Sequence, residues 1–393
     1  MLQLQNKKIL ITGGTGHLGS ALIHYLVKER AVQPQHIRVF YLKGSPIDSL
    51  SDIAGLDFLA GNVLNTEDVI AAMDGVQLVF HVIGSTTFDP RQKRLQWLVN
   101  VEGTRNVLEA CLNAATFEKM CYTSTVNALG VPNPVGSIGD IANSSPYANF
   151  PRQHSFVNAQ QTLDFIAEAK ANPSTKWEEK IGIGYHDSKL AAQELVNDYF
   201  AKYQMNVVSL MPGTMFGPYD HLIGTGLYLL SIAKNKMPAV LRGSGMPLAH
   251  VMDVARGHAL AMEKAVAGSQ YILSGKKEEN RYLLDMVSMI AEVLQEKFPE
   301  QKINKPKLEI PYSVAHTAAF FSEWSARLFN QPMLLSRDAV RAGANPLFYT
   351  SQKAEKELGY VPQFTFREAV SDMADYYKTY HLFEREGRWI DHR

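Results

Sequence analysis

Lys8-Ile9-Leu10-Ile11-Thr12-Gly13-Gly14-Thr15-Gly16-His17-Leu18-Gly19 decides the fold of this chain. The apolar run before the glycines reads as a strand. After them Leu18, Ala21, Leu22, Tyr25 and Leu26 recur three and four apart, the period of an amphipathic helix. A glycine turn between strand and helix lets the backbone approach an anion closely. The first turn of the helix then offers free N–H groups and the positive end of its dipole. Gly14, Gly16 and Gly19 fit G-x-G-x-x-G, and Gly13, Gly16 and Gly19 fit G-x-x-G-x-x-G. In this setting the loop is a cradle for the pyrophosphate of a dinucleotide.

Outward from the loop, further apolar runs at 37–42, 56–60, 77–83, 119–124 and 206–211 read as strands. Helical patterns at 66–73, 95–114 and 185–204 lie between them. Continuous apolar strands alternating with helices predict an α/β fold, with a doubly wound, Rossmann-type parallel sheet covered on both faces. Residues 1–215 are expected to form this nucleotide-binding domain. A polar insertion at about 143–180, with a helix at 156–171, would sit on its surface. Residues 216–393 are expected to form a smaller, mostly helical substrate region interleaved with the first. One helix of that region, 312–329, carries Val314, Phe321, Trp324 and Leu328 as an apolar stripe. Glu323 and Arg327 sit four apart on the other side, as a solvated pair would. The expectation is an amphipathic helix packed on a core, with a membrane-surface role as the alternative.

With 393 residues, 46% of them hydrophobic, the chain can bury a large core. Lys+Arg and Asp+Glu balance at 39 each, so no overall field favours nucleic acid or an anionic surface. Cys111 and Cys121 show neither metal-ligand spacing nor a disulfide framework, and read as core residues. No metal site is expected. No signal peptide and no membrane-spanning run is legible, so a cytoplasmic setting is the default expectation. A homodimer is held open.

Chemistry is suggested first by Tyr185-His186-Asp187-Ser188-Lys189. Tyr and Lys four apart on a helix share a face. An ammonium beside a phenol favours the phenolate and is expected to lower its pKa, so that the phenol could exchange a proton with a carbonyl or alcohol oxygen. Ser124 and Thr125 end the fifth strand, where open parallel sheets bind ligands. Either hydroxyl could hold a substrate oxygen, or simply cap the strand.

Taken in order, the glycine loop, Tyr122-Thr123-Ser124-Thr125, the Tyr185/Lys189 pair and Met211-Pro212-Gly213-Thr214-Met215-Phe216-Gly217-Pro218 resemble the extended short-chain dehydrogenase/reductases. That group includes nucleotide-sugar epimerases, 3β-hydroxysteroid dehydrogenases and dihydroflavonol reductases. Asn100-Val101-Glu102-Gly103-Thr104, Val251-Met252-Asp253-Val254-Ala255 and Leu358-Gly359-Tyr360-Val361-Pro362 extend the resemblance along nearly the whole chain. It implies Tyr185 as catalytic acid/base, Lys189 as its tuner and a ribose ligand, and Thr125, or Ser124, as the substrate-orienting hydroxyl. It implies cofactor contacts at Gly13, Thr15, Gly16, His17, Leu18, Gly19, Asn62, Val63, Val82, Ile83, Gly84, Asn100, Pro212 and Gly213. Asn62 stands where the family more often has Asp, and His81-Val82-Ile83-Gly84 stands for the usual His-Leu-Ala-Ala.

The acid expected about 20 residues past the loop to bind a ribose 2′-hydroxyl is missing, and Lys43 lies at that strand tip. This favours NADP over NAD. Thr125 and Tyr185 are 60 residues apart, about twice the spacing in relatives, and the excess falls in the insertion. The insertion is therefore expected to shape the substrate pocket. The leading expectation is an NAD(P)-dependent oxidoreductase acting on a carbonyl or alcohol of a fairly apolar small molecule, of the flavonoid or sterol kind. A nucleotide-sugar epimerase or dehydratase with retained NAD, and a non-catalytic NADP-binding redox sensor, are the alternatives.

Overall fold

The computed structural model describes residues 2–132, 135, 137–141, 144, 145, 182–329, 331, 333 and 335–384. The expected insertion helix at 156–171 lies outside the described residues, as does nearly all of the 143–180 segment. Seven strands, β1 (Ile9–Thr12), β2 (Ile37–Tyr41), β3 (Asp57–Ala60), β4 (Leu78–His81), β5 (Lys119–Thr123), β6 (Val207–Pro212) and β7 (Gln270–Leu273), form one sheet. Their order is β7-β6-β5-β4-β1-β2-β3, and every neighbouring pair is parallel. Every residue of β1, β4, β5 and β6 is buried, which is why these strands read as unbroken apolar runs. The edge strand β3 is partly exposed and alternates.

Helices cover both faces. On one face, α1 (His17–Glu29) and α7 (Val251–Lys264) bury Leu22, Leu26, Val254 and Met262 against the sheet. On the other, α2 (Thr66–Ala72), α4 (Gly103–Asn113) and α5 (Gly184–Tyr203) bury Val69, Leu108, Leu195 and Val196. The α2 start is fixed by Asn65, whose side chain accepts from the Glu67 and Asp68 N–H groups. α5 ends where Gln204 turns left-handed at φ 52°. Both cysteines are buried within these cores, and burial pushes their thiols up. Lys119 is buried too, its ammonium donating to the carbonyls of Ala261, Met262 and Ala265 that close α7.

The single helix expected over 95–114 is instead three pieces. α3 (Lys93–Trp97) runs into a π-turn at Leu98–Glu102 before α4 begins. The Thr104 hydroxyl donates to the Asn100 carbonyl at 2.6 Å, a side-chain bond that competes with regular helical pairing. Such π-turns cluster at functional sites, and this one carries Asn100.

The later part of the chain adds three short strands, Thr214–Phe216, Gly245–His250 and Asn280–Tyr282, in a sheet of their own. Around it pack α6 (Gly226–Ala233), α8 (Leu283–Lys297) and a C-terminal helix at Phe366–Thr379, with Phe216, Ile290, Phe366 and Met373 in their core. A capping box between Thr365 and Glu368 fixes the start of the C-terminal helix.

The helix α9 (Tyr312–Leu328) departs from its expected orientation. Its buried positions are Ala315, Ala319, Glu323 and Ala326, whereas Val314, Phe321, Trp324 and Leu328 are exposed. Glu323 is no solvated partner of Arg327. Its carboxylate accepts from the backbone N–H and Nε of Arg337, at 2.7 and 3.0 Å, in the following helix α10 (Arg337–Ala342). The small alanines admit close packing of α10 through Val340, and the ion pair sets which face turns inward. No helix among the described residues is long and apolar enough to cross a membrane.

Candidate active site

The sheet order reverses between β1 and β4, and ligands of such sheets bind at this point beyond the carboxyl ends of the strands. The glycine loop leaves β1 there. Gly13 adopts φ 72°, and an added Cβ would lie 2.9 Å from the Ile83 side chain and 3.1 Å from its backbone nitrogen. A Cβ on Gly19 would fall 2.3 Å from the Gly13 carbonyl, so only glycine lets α1 approach β1 this closely. Gly16 caps α1 with no side-chain hydrogen bond, and no acidic residue occupies the first turn. The Gly13 and Gly16 N–H groups are taken by the Phe40 and Gly13 carbonyls at 2.8 and 3.0 Å, and the remaining donors at the start of α1 fit a dinucleotide pyrophosphate. Thr15 and Leu18 are buried and shape the loop. The His17 ring lies among Gly217, Pro218, Asp220 and His250, and burial pulls its pKa down.

Tyr185 is the second residue of α5 and Lys189 follows one turn later; both are buried. Lys189 Nζ donates to the Thr123 carbonyl at 3.1 Å and lies 5.6 Å from the centre of the Tyr122 ring. Burial brings its pKa down to about 8. Thr125, just past β5, accepts from the Asn127 N–H at 3.3 Å. The side chains of Thr125 and Asn127 are the neighbours that favour the charged form of the Tyr185 phenol. The structure corrects the expected direction of the Tyr185 shift. Burial raises the phenol above its ordinary value, and the opposing influences are Thr125 and Asn127, not Lys189. A raised pKa keeps the phenol protonated at neutral pH, the form that donates a proton. Ser124 is buried alongside, its N–H on the Leu210 carbonyl at 2.7 Å.

Asn100 is the internal tie of the site. Its Nδ2 donates to Ser188 Oγ at 2.9 Å and to the Ser85 carbonyl at 3.0 Å, and its Oδ1 accepts from Ser85 N at 2.8 Å. It joins the strap after β4 to α5. Val82, Ile83 and Gly84 form that strap, and a Cβ on Gly84 would come within 2.9 Å of Lys189 Nζ. His81, at the end of β4, bridges the Thr12 and Thr104 hydroxyls at 2.7 and 3.0 Å, and burial pulls its pKa down to about 3. Val63 is buried, with its carbonyl accepting from Asn106 Nδ2. Asn62 is exposed, and its Oδ1 accepts from Leu64 N in a local turn. Pro212 ends β6, and a Cβ on Gly213 would lie 2.6 Å from the Pro247 carbonyl. Lys43 stands apart, exposed beyond β2.

Sequence reading missed Asn127, the tie from Asn100 to Ser188, and Phe88. The Phe88 ring meets Tyr185 edge-on at 5.7 Å and packs with Ile183 and Leu190. Asn127 carried a signal in its position two residues past Thr125, whereas nothing near Phe88 announces its partner. No group of His, Cys, Asp and Glu among the described residues could hold a metal ion.

Comparison with known proteins adds to this geometry. Residues 10–162 match the 3-beta hydroxysteroid dehydrogenase/isomerase family, and residues 168–273 match the NAD dependent epimerase/dehydratase family. A Synechocystis protein with a provisional dihydroflavonol 4-reductase name is 27% identical over 94% of this chain and 94% of its own. The sterol demethylase protein B of Methylococcus capsulatus is 24% identical over 94% of this chain and 98% of its own. The crystal structure of gox2253 superposes with a TM-score of 0.71 at 28% identity, over 95% of this chain and 99% of that one.

Proposed function

This chain is an enzyme of the extended short-chain dehydrogenase/reductase type, and from that premise we propose that it reduces a carbonyl, or oxidises the matching alcohol, on a fairly apolar small molecule of the dihydroflavonol or sterol kind. One observation carries the reading. The Tyr185 phenol, its pKa raised by burial, has Thr125 and Asn127 as polar neighbours and stands one helical turn from the buried Lys189 ammonium at the carboxyl end of β5.

A nicotinamide dinucleotide, when bound, supplies or accepts the hydride. The loop from Gly13 to Gly19 would hold its pyrophosphate, Asn62 and Val63 its adenine end, and Lys189 its ribose. In reduction, Thr125 and Tyr185 hold the substrate oxygen. As the carbonyl carbon gains hydride, the phenol proton moves to that oxygen and a phenolate remains. The Lys189 ammonium offsets the new charge within a buried site, where charge pairing is stronger than in water. Oxidation runs the same proton transfer backwards. Asn100 holds α5 and the strap after β4 in register, so that the groups are in place before substrate arrives.

Two further features support the choice of substrate and cofactor. Phe88, Ile183 and Leu190 give the surroundings of Tyr185 an apolar character, and the named relatives include sterol and dihydroflavonol enzymes. The tip of β2 carries no carboxylate, and the first one beyond it, Asp48, lies 3.6 Å from His221. With Lys43 exposed at that tip, NADP is the preferred cofactor. The deciding experiment follows NADPH and NADH oxidation with dihydroflavonols and 3-ketosteroids as substrates. Turnover of either class, lost in Tyr185→Phe, supports the reading. Turnover of a nucleotide sugar on permanently retained NAD would replace it.

A further inference from the structure

We propose that the outer face of α9 is a docking surface for an anionic lipid bilayer, placed beside the entrance to the catalytic helix. The helix is inverted relative to an ordinary surface helix. It turns Ala315, Ala319, Ala326 and Glu323 inward and leaves Phe321 61%, Trp324 58% and Leu328 59% exposed. These three are spaced three and four apart, and Val314, seven before Phe321, extends the row toward the start of the helix. Val314 and Phe321 line a shallow groove along it with Thr317 and Ala318. With Phe329, also exposed, they leave on the order of 550 Å² of apolar surface in water, taking the exposed fractions of ~150–250 Å² for each aromatic side chain. The largest patch on a typical monomer is about 300–600 Å².

The orientation is built in. Rolling the helix to bury its aromatic side chains would pull Glu323 from the Arg337 guanidinium and backbone N–H, and leave that carboxylate without its partner.

Charge identifies the occupant. The outer face carries no carboxylate, since Glu323 is buried. The nearest exposed charge on the helix is Arg327, which flanks the apolar row. A second copy of the chain meeting this face symmetrically would present the same patch, and so would offer Arg327 no carboxylate. A bilayer supplies lipid phosphates for Arg327, hydrocarbon for Phe321 and Leu328, and an interface suited to the amphipathic ring of Trp324.

Position links the surface to the site. In α10, which packs on α9, Asp338 pairs with Lys93 at 3.2 Å and accepts from Gly184 N at 3.4 Å. Arg341 donates to the Gly182 carbonyl at 2.7 Å. The docked face is thus one helix removed from the first turn of α5 and Tyr185. An apolar substrate dissolved in the membrane would be presented near its point of use; only this last step rests on the proposed function.

The test is co-sedimentation of the full chain with phosphatidylcholine vesicles, with and without one quarter phosphatidylglycerol. The wild type is expected to pellet with the anionic vesicles, less so at high salt. Phe321→Ser/Trp324→Ser should lower the partition coefficient by about tenfold or more, and Arg327→Glu should weaken binding to anionic vesicles alone. NADPH titration of each variant reports an intact fold. Failure of the wild type to bind anionic vesicles, or binding by the double variant equal to wild type, overturns the proposal. So does a lipid-free dimer, seen by sedimentation velocity, that the double substitution dissolves. Loss of vesicle binding with carbonyl reduction intact in solution supports the assignment of this face, whereas an inactive wild type that still binds vesicles would count against the catalytic reading alone.

Discussion

Lys189 Nζ donates to the Thr123 carbonyl across 3.1 Å of buried space, so this lysine is held by the backbone of β5. With no counter-charge, desolvation dominates and the ammonium titrates near 8. Between that value and the unfolded value near 10.4, the unfolded chain binds more protons than the folded one. Stability from this group therefore rises with pH across about 8 to 10.4, and the charged form is the destabilising one below that window. Denaturant unfolding of the cofactor-free protein at pH 7.5 and 9.5 should show the rise in wild type relative to Lys189→Met. Parallel pH dependence in the two proteins would remove the assigned shift.

Tyr185→Phe removes one hydroxyl and leaves the ring against Phe88. Melting temperature and NADPH affinity should stay close to wild type, while kcat falls by about 10²–10⁴-fold, the usual contribution of a positioned acid or base. Stopped-flow measurement of a single turnover separates this loss from slow product release. Near-normal kcat would assign the proton to another group.

Gly19→Ala tests the phosphate cradle from within. The new methyl would stand 2.3 Å from the Gly13 carbonyl and 2.7 Å from the Gly14 Cα, both backbone atoms that cannot rotate away. α1 has to lift from β1, at a cost of about 1–3 kcal/mol or more. Thermal unfolding should show the loss, and fluorescence titration should show NADPH and NADH weakened together. Tight cofactor binding in a stable variant would move the anion site elsewhere.

Lys43→Ala addresses cofactor choice. The side chain is exposed and makes no contact that folding needs, so stability should be unchanged. NADPH affinity should fall several-fold with NADH affinity unaffected, because only the 2′-phosphate would meet the ammonium. Equal effects on both cofactors, or none, would withdraw the NADP preference.

What the sequence disclosed, and what it withheld, follows from how many neighbours each feature needs. The glycine loop and the buried strands are local: Gly13 is demanded by its own positive φ and Gly19 by the backbone of Gly13 and Gly14, and a strand buried on both faces must be apolar throughout. The Tyr185/Lys189 pair is likewise fixed by one helical turn. The orientation of α9 is not local. The same stripe of Val314, Phe321, Trp324 and Leu328 satisfies a core or an outer surface equally well, and the deciding partner of Glu323 lies 14 residues on, at Arg337. The direction of the Tyr185 shift was hidden for the same reason. A sequence shows the lysine four residues away but not the depth of burial, and burial prevails. The π-turn at Leu98–Glu102 leaves no mark in a hydrophobic pattern that simply continues through it.

The seventh strand has a consequence for how the chain must be made. β7 spans Gln270–Leu273, and it covers β6, which without it would be an open parallel edge. Phe348 and Tyr349 pair with Ile138 and Gly139, more than two hundred residues earlier. A nascent chain on the ribosome therefore exposes the hydrogen-bonding edge of Val207–Pro212 until residue 273 has emerged, and keeps a loose end beside the site until residue 349 has followed. Translation products that stop between these points carry the complete glycine loop and the Tyr185/Lys189 pair on an unfinished surface. They are the species on which edge-to-edge aggregation would begin, and the ones a chaperone would have most reason to hold.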